Sequence, residues 1–294
     1  MKPIVCSPFQ PDCLDGKVAL VTGGGSGIGF EVTRQLLLHK CHAAVICGRR
    51  ASFLQQAQRI LQQETGARVE YRVCDVRDPE QCQAAVKFTQ QQFGRLDILV
   101  NGAAGNFLAA AHQLSPKGFA TVMAIDTLGT FNMSRAAFSL LAQSGDAVIL
   151  NISATLQYGA THWQVHASAA KAAVDSLTRS LALEWGSYQI RVVGIAPGPI
   201  ADTPGTTKLA PGIGKDNVAN MVTEGIPLKR MGEAWEIGHA AVFLCTARYI
   251  TGDVLVVDGG QWLYKHPMVP QEMVAKLSRT VESKSRNQAP RSKL

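Results

Sequence analysis

A run of apolar and β-branched residues, Val18 to Thr22, feeds directly into Gly23-Gly24-Gly25-Ser26-Gly27-Ile28-Gly29, and a helical pattern from Phe30 to His39 follows. Few folds accept that order. Glycines at a strand-to-helix turn let one backbone pass close to another. The helix start beyond them offers unpaired N–H groups and a positive dipole end. The alternation then continues. Ala43–Cys47, Val69–Val73, Ile98–Asn101, Val148–Ile152, Val192–Ala196 and Val254–Val257 read as further strands with helical segments between them. Leu54, Ala57, Ile60 and Leu61, for example, supply one apolar stripe. Strands alternating with helices predict a parallel sheet covered on both faces.

The expected fold class is therefore α/β: a single-domain, Rossmann-like, doubly wound parallel seven-stranded sheet. A chain of 294 residues suits one such domain. We expect an N-terminal extension over 1–15, the sheet domain over 16–264, and a C-terminal extension over 265–294. Residues 198–227, rich in Gly, Pro and Thr, break the rhythm and read as a lid.

Composition excludes several classes. No apolar run reaches the length of a membrane span, and Met1–Gly16 lacks the apolar core of a secretory signal. Part of the net charge of +7 gathers in Arg279, Lys284, Arg286, Arg291 and Lys293, with no nucleic-acid motif beside it. Seven cysteines, scattered and without C-x-x-C spacing, indicate neither a disulfide framework nor a metal site. The last three residues, Ser292-Lys293-Leu294, match the peroxisomal import address, which makes the import receptor an expected partner.

The first turn reads as a pyrophosphate cradle formed by Gly23, Gly25, Ser26, Gly27, Ile28 and Gly29. The second strand ends in Arg49-Arg50, where NAD sites usually carry a carboxylate for the ribose 2′-hydroxyl. Two guanidiniums suit a 2′-phosphate, so NADPH/NADP+ is the expected cofactor. Asp75-Val76 follows the third strand, placed for the adenine. Asn101 to Gly105, Ala103 among them, follows the fourth and is placed for the adenine-side ribose.

At this point the residues resemble the short-chain dehydrogenase/reductase family. T-G-G-G-S-G-I-G at 22–29, D-V at 75–76, N-G-A-A-G at 101–105, P-G-P-I at 197–200 and V-D-G-G at 257–260 carry the resemblance, over about 16–263. It implies that Pro197, Gly198, Pro199 and Ile200 border the nicotinamide, and that Thr203 touches the pyrophosphate. It also implies a homo-oligomer, a dimer or tetramer formed through the helices carrying Lys171 and Leu140. The family's usual Tyr, four residues before its catalytic Lys, is here Ala167; its Ser falls near Ala154 and its Asn on Asp126, while Lys171 remains. Val193 stands where Asn is usual, from which we expect a local packing change. Without a tyrosinate to exchange a proton with oxygen, ketone reduction loses its acid. What remains is either a non-catalytic NADP-binding protein or a reductase whose proton goes elsewhere.

The segments Ala104–Leu108, Ile125–Asn132, Ser153–Leu156 and Gln164–Asp175 favour the second reading. They resemble family members that reduce 2,4-dienoyl thioesters of coenzyme A. The resemblance implies hydride transfer from NADPH to Cδ and protonation at Cα, giving a 3-enoyl-CoA in fatty-acid β-oxidation. Another acyl-CoA reductase, such as a trans-2-enoyl-CoA reductase, is the near alternative. On this reading Lys171, Asp126 and Asp175 form the catalytic group, positioning a water that donates the proton. Lys171 and Asp175, four apart, share a helix face. Tyr158 and Ser168 are rival donors. His166 reads as an ordinary hydrogen-bonded histidine. Arg49, Arg77, Ser115, Lys117 and Lys208 are expected around the CoA moiety, with Phe107 against its acyl-pantetheine part.

Overall fold

The computed structural model describes residues 7–203, 222–270, 273, 274 and 279. Lys208, most of the expected lid and the Ser292-Lys293-Leu294 tail lie outside the described residues. Seven parallel strands form one sheet: β1 (Val18–Thr22), β2 (Ala43–Gly48), β3 (Arg68–Val73), β4 (Ile98–Asn101), β5 (Ala147–Ile152), β6 (Ile190–Pro197) and β7 (Val254–Val257). Their order is β3-β2-β1-β4-β5-β6-β7. The helices are α1 (Gly27–Leu38), α2 (Ala51–Thr65), α3 (Pro79–Phe93), α4 (Pro116–Met123), α5 (Gly129–Ser144), α6 (Val165–Trp185) and α7 (Ala234–Thr246). A single π-turn, Ala124–Leu128, joins α4 to α5.

Alternation along each strand builds two cores. Ala19 and Val21 of β1, Ala44 and Ile46 of β2, and Leu150 of β5 face one side, where α1, α2 and α7 supply Leu36, Leu61 and Ile237. Leu20, Val45 and Ile149 face the other, against Val86 of α3, Met133 and Leu141 of α5 and Leu181 of α6. Successive strand side chains point to opposite faces, and both faces are buried, so the strands read as continuous apolar runs. Val193 is fully buried beside Ile195 in the first core.

The chain divides into Met1–Trp262 and Leu263–Leu294. Within the first unit the N-terminal segment is docked rather than loose. Leu14 is buried, its N–H reaches the His39 carbonyl, and Asp15 bridges to Cys41. Among the described residues the cysteines are free, and those at 41, 47, 74 and 82 are buried. No described helix is long and apolar enough to cross a membrane.

Because all strands are parallel, the turns after β1 to β6 gather along one edge. The order reverses between β1 and β4, and such a switch point opens the crevice in which open α/β sheets hold their ligands. Truncating a side chain that spans this layered core tests the packing. Leu150→Ala is expected to lose about 2–5 kcal/mol of stability in urea denaturation with an unchanged slope; a loss under about 1 kcal/mol contradicts the packing described.

Candidate active site

The first turn is built around glycine for steric reasons. A Cβ on Gly29 would lie 2.6 Å from the Gly23 carbonyl oxygen, and one on Gly23 would lie 2.6 Å from the Gly102 carbonyl oxygen. The β1 and β4 turns thus pass in direct backbone contact. Thr22 ties them further, its Oγ1 accepting from the N–H groups of Gly102 (3.1 Å) and Ala103 (3.2 Å). Beyond the turn, α1 starts at Ser26 with no side-chain cap and no acidic residue in its first turn. Its leading N–H groups therefore remain available to an anion. This cradle fits a dinucleotide pyrophosphate.

The turns after β2 and β3, where the adenine is expected, carry Arg49, Arg50 and Asp75. Arg50 stacks on the Phe53 ring at 3.7 Å. Arg77 clamps Asp75 through both guanidinium and carboxylate, Nε to Oδ1 at 2.9 Å. The Arg77 guanidinium holds the Asp75 carboxyl below its ordinary range, and Arg49 adds to the same effect. Asn101 turns its side chain inward: Nδ2 donates to Asn151 Oδ1 (2.9 Å) and Ser134 Oγ (3.0 Å). Only its main chain faces the turn edge.

The centre of the site is a buried ion pair. Lys171 Nζ lies 3.0 Å from Asp126 Oδ2 and donates to the Ile152 carbonyl at 2.9 Å. Asp126 Oδ1 accepts from the Gly105 N–H at 2.7 Å. Both side chains are nearly sealed from solvent. The π-turn presents Asp126 to Gly105 and Lys171 together, in keeping with the frequent placement of π-turns at functional sites.

The lysine and Asp175 share a helix face but do not pair. Among the described residues no ion pair joins them. The ammonium is taken by Asp126 and Ile152, while Asp175 accepts from the Ser153 hydroxyl and, at 2.6 Å, from Gln157 Nε2. The Tyr158 hydroxyl also borders Asp175. Burial first, then the Asp175 charge, pushes its pKa up to about 12. Tyr158 packs edge-on against Trp262 at 5.6 Å. Ser168 donates to the carbonyl of Leu156, in the loop after β5, at 3.3 Å.

A family model described as enoyl-(acyl carrier protein) reductase matches residues 23–261. The peroxisomal 2,4-dienoyl-CoA reductase [(3E)-enoyl-CoA-producing] of Arabidopsis thaliana is 50% identical, covering 95% of this chain and 96% of that protein. The enzyme of the same description from Pongo abelii is 48% identical over 87% of each chain. A solved short chain dehydrogenase from Bacillus anthracis superposes with a TM-score of 0.76 at 36% identity, covering 85% of this chain and 98% of that one. The chain belongs to the short-chain dehydrogenase/reductase family.

The structure brings the glycine turn and Thr22 against Gly102 and Ala103, joins Asp126 to Gly105 and Lys171, and sets Arg77 and the charge of Arg49 beside Asp75. Gly198 of the 197–200 turn lies against Asp258; a Cβ there would fall 2.6 Å from the Asp258 Cβ. Thr203 is buried and donates to the Ile200 carbonyl at 3.0 Å. Ser115 caps α4, its hydroxyl accepting from Gly118 N–H at 3.0 Å, and Lys117 follows in the first turn of that helix. Two features were not anticipated. Gln157 is a further polar partner of Asp175 beside Ser153, and the His166 ring packs on the Phe107 ring with centroids 4.3 Å apart.

The backbone contact at Gly29 gives a direct test of the cradle. Gly29→Ala must push the Gly23 carbonyl away, so NADPH binding, read by cofactor fluorescence, is expected to weaken by about tenfold or more, 1.4 kcal/mol; unchanged affinity contradicts the placement.

Proposed function

We propose that this chain is an NADPH-dependent 2,4-dienoyl-CoA reductase of the peroxisome matrix, producing a 3-enoyl-CoA. The observation that carries the reading is the buried Asp126–Lys171 pair combined with Ala167 at the family's tyrosine position. A site of this kind keeps the cation and lacks the phenol. It suits a reaction in which charge develops on oxygen while the proton ends on carbon. The Arabidopsis and Pongo relatives, named for that reaction, support it.

The residues divide the work as follows. Gly23, Gly25, Ser26, Gly27, Ile28 and Gly29 hold the pyrophosphate. Arg49 and Arg50 meet the 2′-phosphate, and Asp75 and Val76 the adenine. Asn101, Ala103 and the 197–200 turn with Thr203 enclose the riboses and the nicotinamide. When bound, NADPH supplies the hydride. Lys171 Nζ carries three N–H donors, of which Asp126 and Ile152 occupy two. The remaining one serves the ribose, and the ammonium charge stabilises the negative charge that grows on the thioester oxygen. Asp126 keeps the ammonium charged and fixed, an electrostatic arrangement set before reaction. With Asp175, this pair positions the water that protonates Cα.

On the substrate side, Arg49, Arg77, Ser115, Lys117 and Lys208 surround the CoA moiety, and Phe107 lies against its acyl-pantetheine part. The Ser292-Lys293-Leu294 tail engages the import receptor, and the working form is a homo-oligomer.

Tyr158, its hydroxyl turned to Asp175 and its pKa pushed up to about 12 by burial first and that charge second, is assigned no proton transfer in this scheme. NADPH oxidation is expected with 2,4-hexadienoyl-CoA and to be absent or far slower with 2-hexenoyl-CoA. Lys171→Ala is expected to abolish turnover with the melting transition retained, and Tyr158→Phe to keep most of it. Turnover on the monoene alone contradicts the substrate, and collapse of Tyr158→Phe contradicts the proton route.

A further inference from the structure

His166 opens α6, immediately before Ala167, yet takes no part in the ion pair. It is completely buried. Burial lowers its pKa, with the Phe107 main chain and Asp126 partly opposing that shift. The ring is therefore a neutral plate at neutral pH.

The His166 and Phe107 rings have centroids 4.3 Å apart and planes inclined by 32°. On its other side the Phe107 ring meets α4. A Cβ on Gly118 would stand 3.2 Å from Phe107 Cζ and 3.2 Å from Ser115 Oγ. A side chain there would press the tip of the ring aside by a few tenths of an ångström. The preceding residue is fixed as well, Asn106 Nδ2 donating to Gln164 Oε1 at 2.6 Å. Phe107 is thus wedged between the start of α6 and the start of α4, and 37% of its surface still faces solvent. One face of this partly exposed aromatic packs on a buried ring and its tip abuts α4, which limits how it can turn.

We propose that His166 is a positioning residue for acyl-CoA binding, acting through its flat ring on Phe107, with Gly118 supplying the complementary space. This rests on the reading that Phe107 contacts the acyl-pantetheine part of the substrate. The ring contact, not the ring nitrogens, carries the effect. An aromatic pair of this kind contributes enough to alter binding about three- to tenfold.

Steady-state kinetics of the full-length enzyme with 2,4-hexadienoyl-CoA, alongside NADPH binding by fluorescence, test this. His166→Ala is expected to raise KM for the thioester about three- to tenfold, leaving kcat within about twofold and NADPH affinity unchanged. His166→Phe, which keeps a plate and removes the nitrogens, is expected to restore KM to within about twofold of the parent. Gly118→Ala is expected to raise the same KM by about two- to threefold as the ring is pushed aside. If His166→Ala melts far below the parent, His166→Leu replaces it, filling the volume without a flat face. An unchanged KM in the Ala or Leu variant overturns the proposal, as does a His166→Phe variant as impaired as His166→Ala. Phe107→Ala separates the two levels. A KM unaffected by Phe107→Ala removes the underlying reading of Phe107, whereas a raised KM there beside a normal His166→Ala removes the role of His166 alone.

Discussion

The buried ion pair between Lys171 and Asp126 is the constraint around which the site is organised. A charged lysine removed from water is costly unless a partner of opposite sign and further hydrogen bonds accompany it. Here the ammonium has both, Asp126 at 3.0 Å and the Ile152 carbonyl at 2.9 Å, and the carboxylate has the Gly105 N–H. These contacts join four pieces of chain: the end of β5, the middle of α6, the π-turn before α5 and the loop after β4. The pair is at once a structural rivet and the electrostatic centre, since a preorganised cation needs no rearrangement as charge develops.

That centre also explains how a member of this family dispenses with a phenol. In ketone chemistry the proton ends on oxygen and the acid must reach that oxygen. For a dienyl thioester the charge spreads to the thioester oxygen, where a cation suffices, and the proton is delivered to carbon. Ala167 at the usual tyrosine position then removes nothing the reaction needs. The phenol that the chain does carry nearby, Tyr158, is turned to Asp175 and made less acidic by burial first and by that charge second.

Much of the fold was legible because its causes are local or periodic. The β1 run, the glycine turn and the apolar stripes of α1 and α2 specify a parallel, doubly covered sheet, and each expected strand is present within a residue or two. Helix α1 begins at Gly27, three residues before Phe30, because glycine next to an anion cradle is tolerated in a first turn. The site was only partly legible. Spacing put Lys171 and Asp175 on one helix face, but facing is not pairing, and the competing acceptors on β5 and in the π-turn lie far away in sequence. Sequence periodicity does not separate one π-turn from the α-helix around it, so the reach of Asp126 to Gly105 was hidden. The side chain of Asn101, at the end of its expected strand, was assigned to the adenine-side ribose and proves to be a core link to Asn151 and Ser134. His166 carries no local signal at all. Its meaning depends on Phe107 and Gly118, which arrive from other loops.

The most direct measurement of the central claim follows the proton. The enzyme turns over unlabelled NADPH and 2,4-hexadienoyl-CoA in deuterium oxide, and the product is read by NMR. A phenol-free site that protonates the dienolate at Cα predicts a 3-enoyl-CoA carrying solvent deuterium at that carbon, with the cofactor's unlabelled hydrogen at Cδ. A 2-enoyl product labelled at Cγ contradicts it.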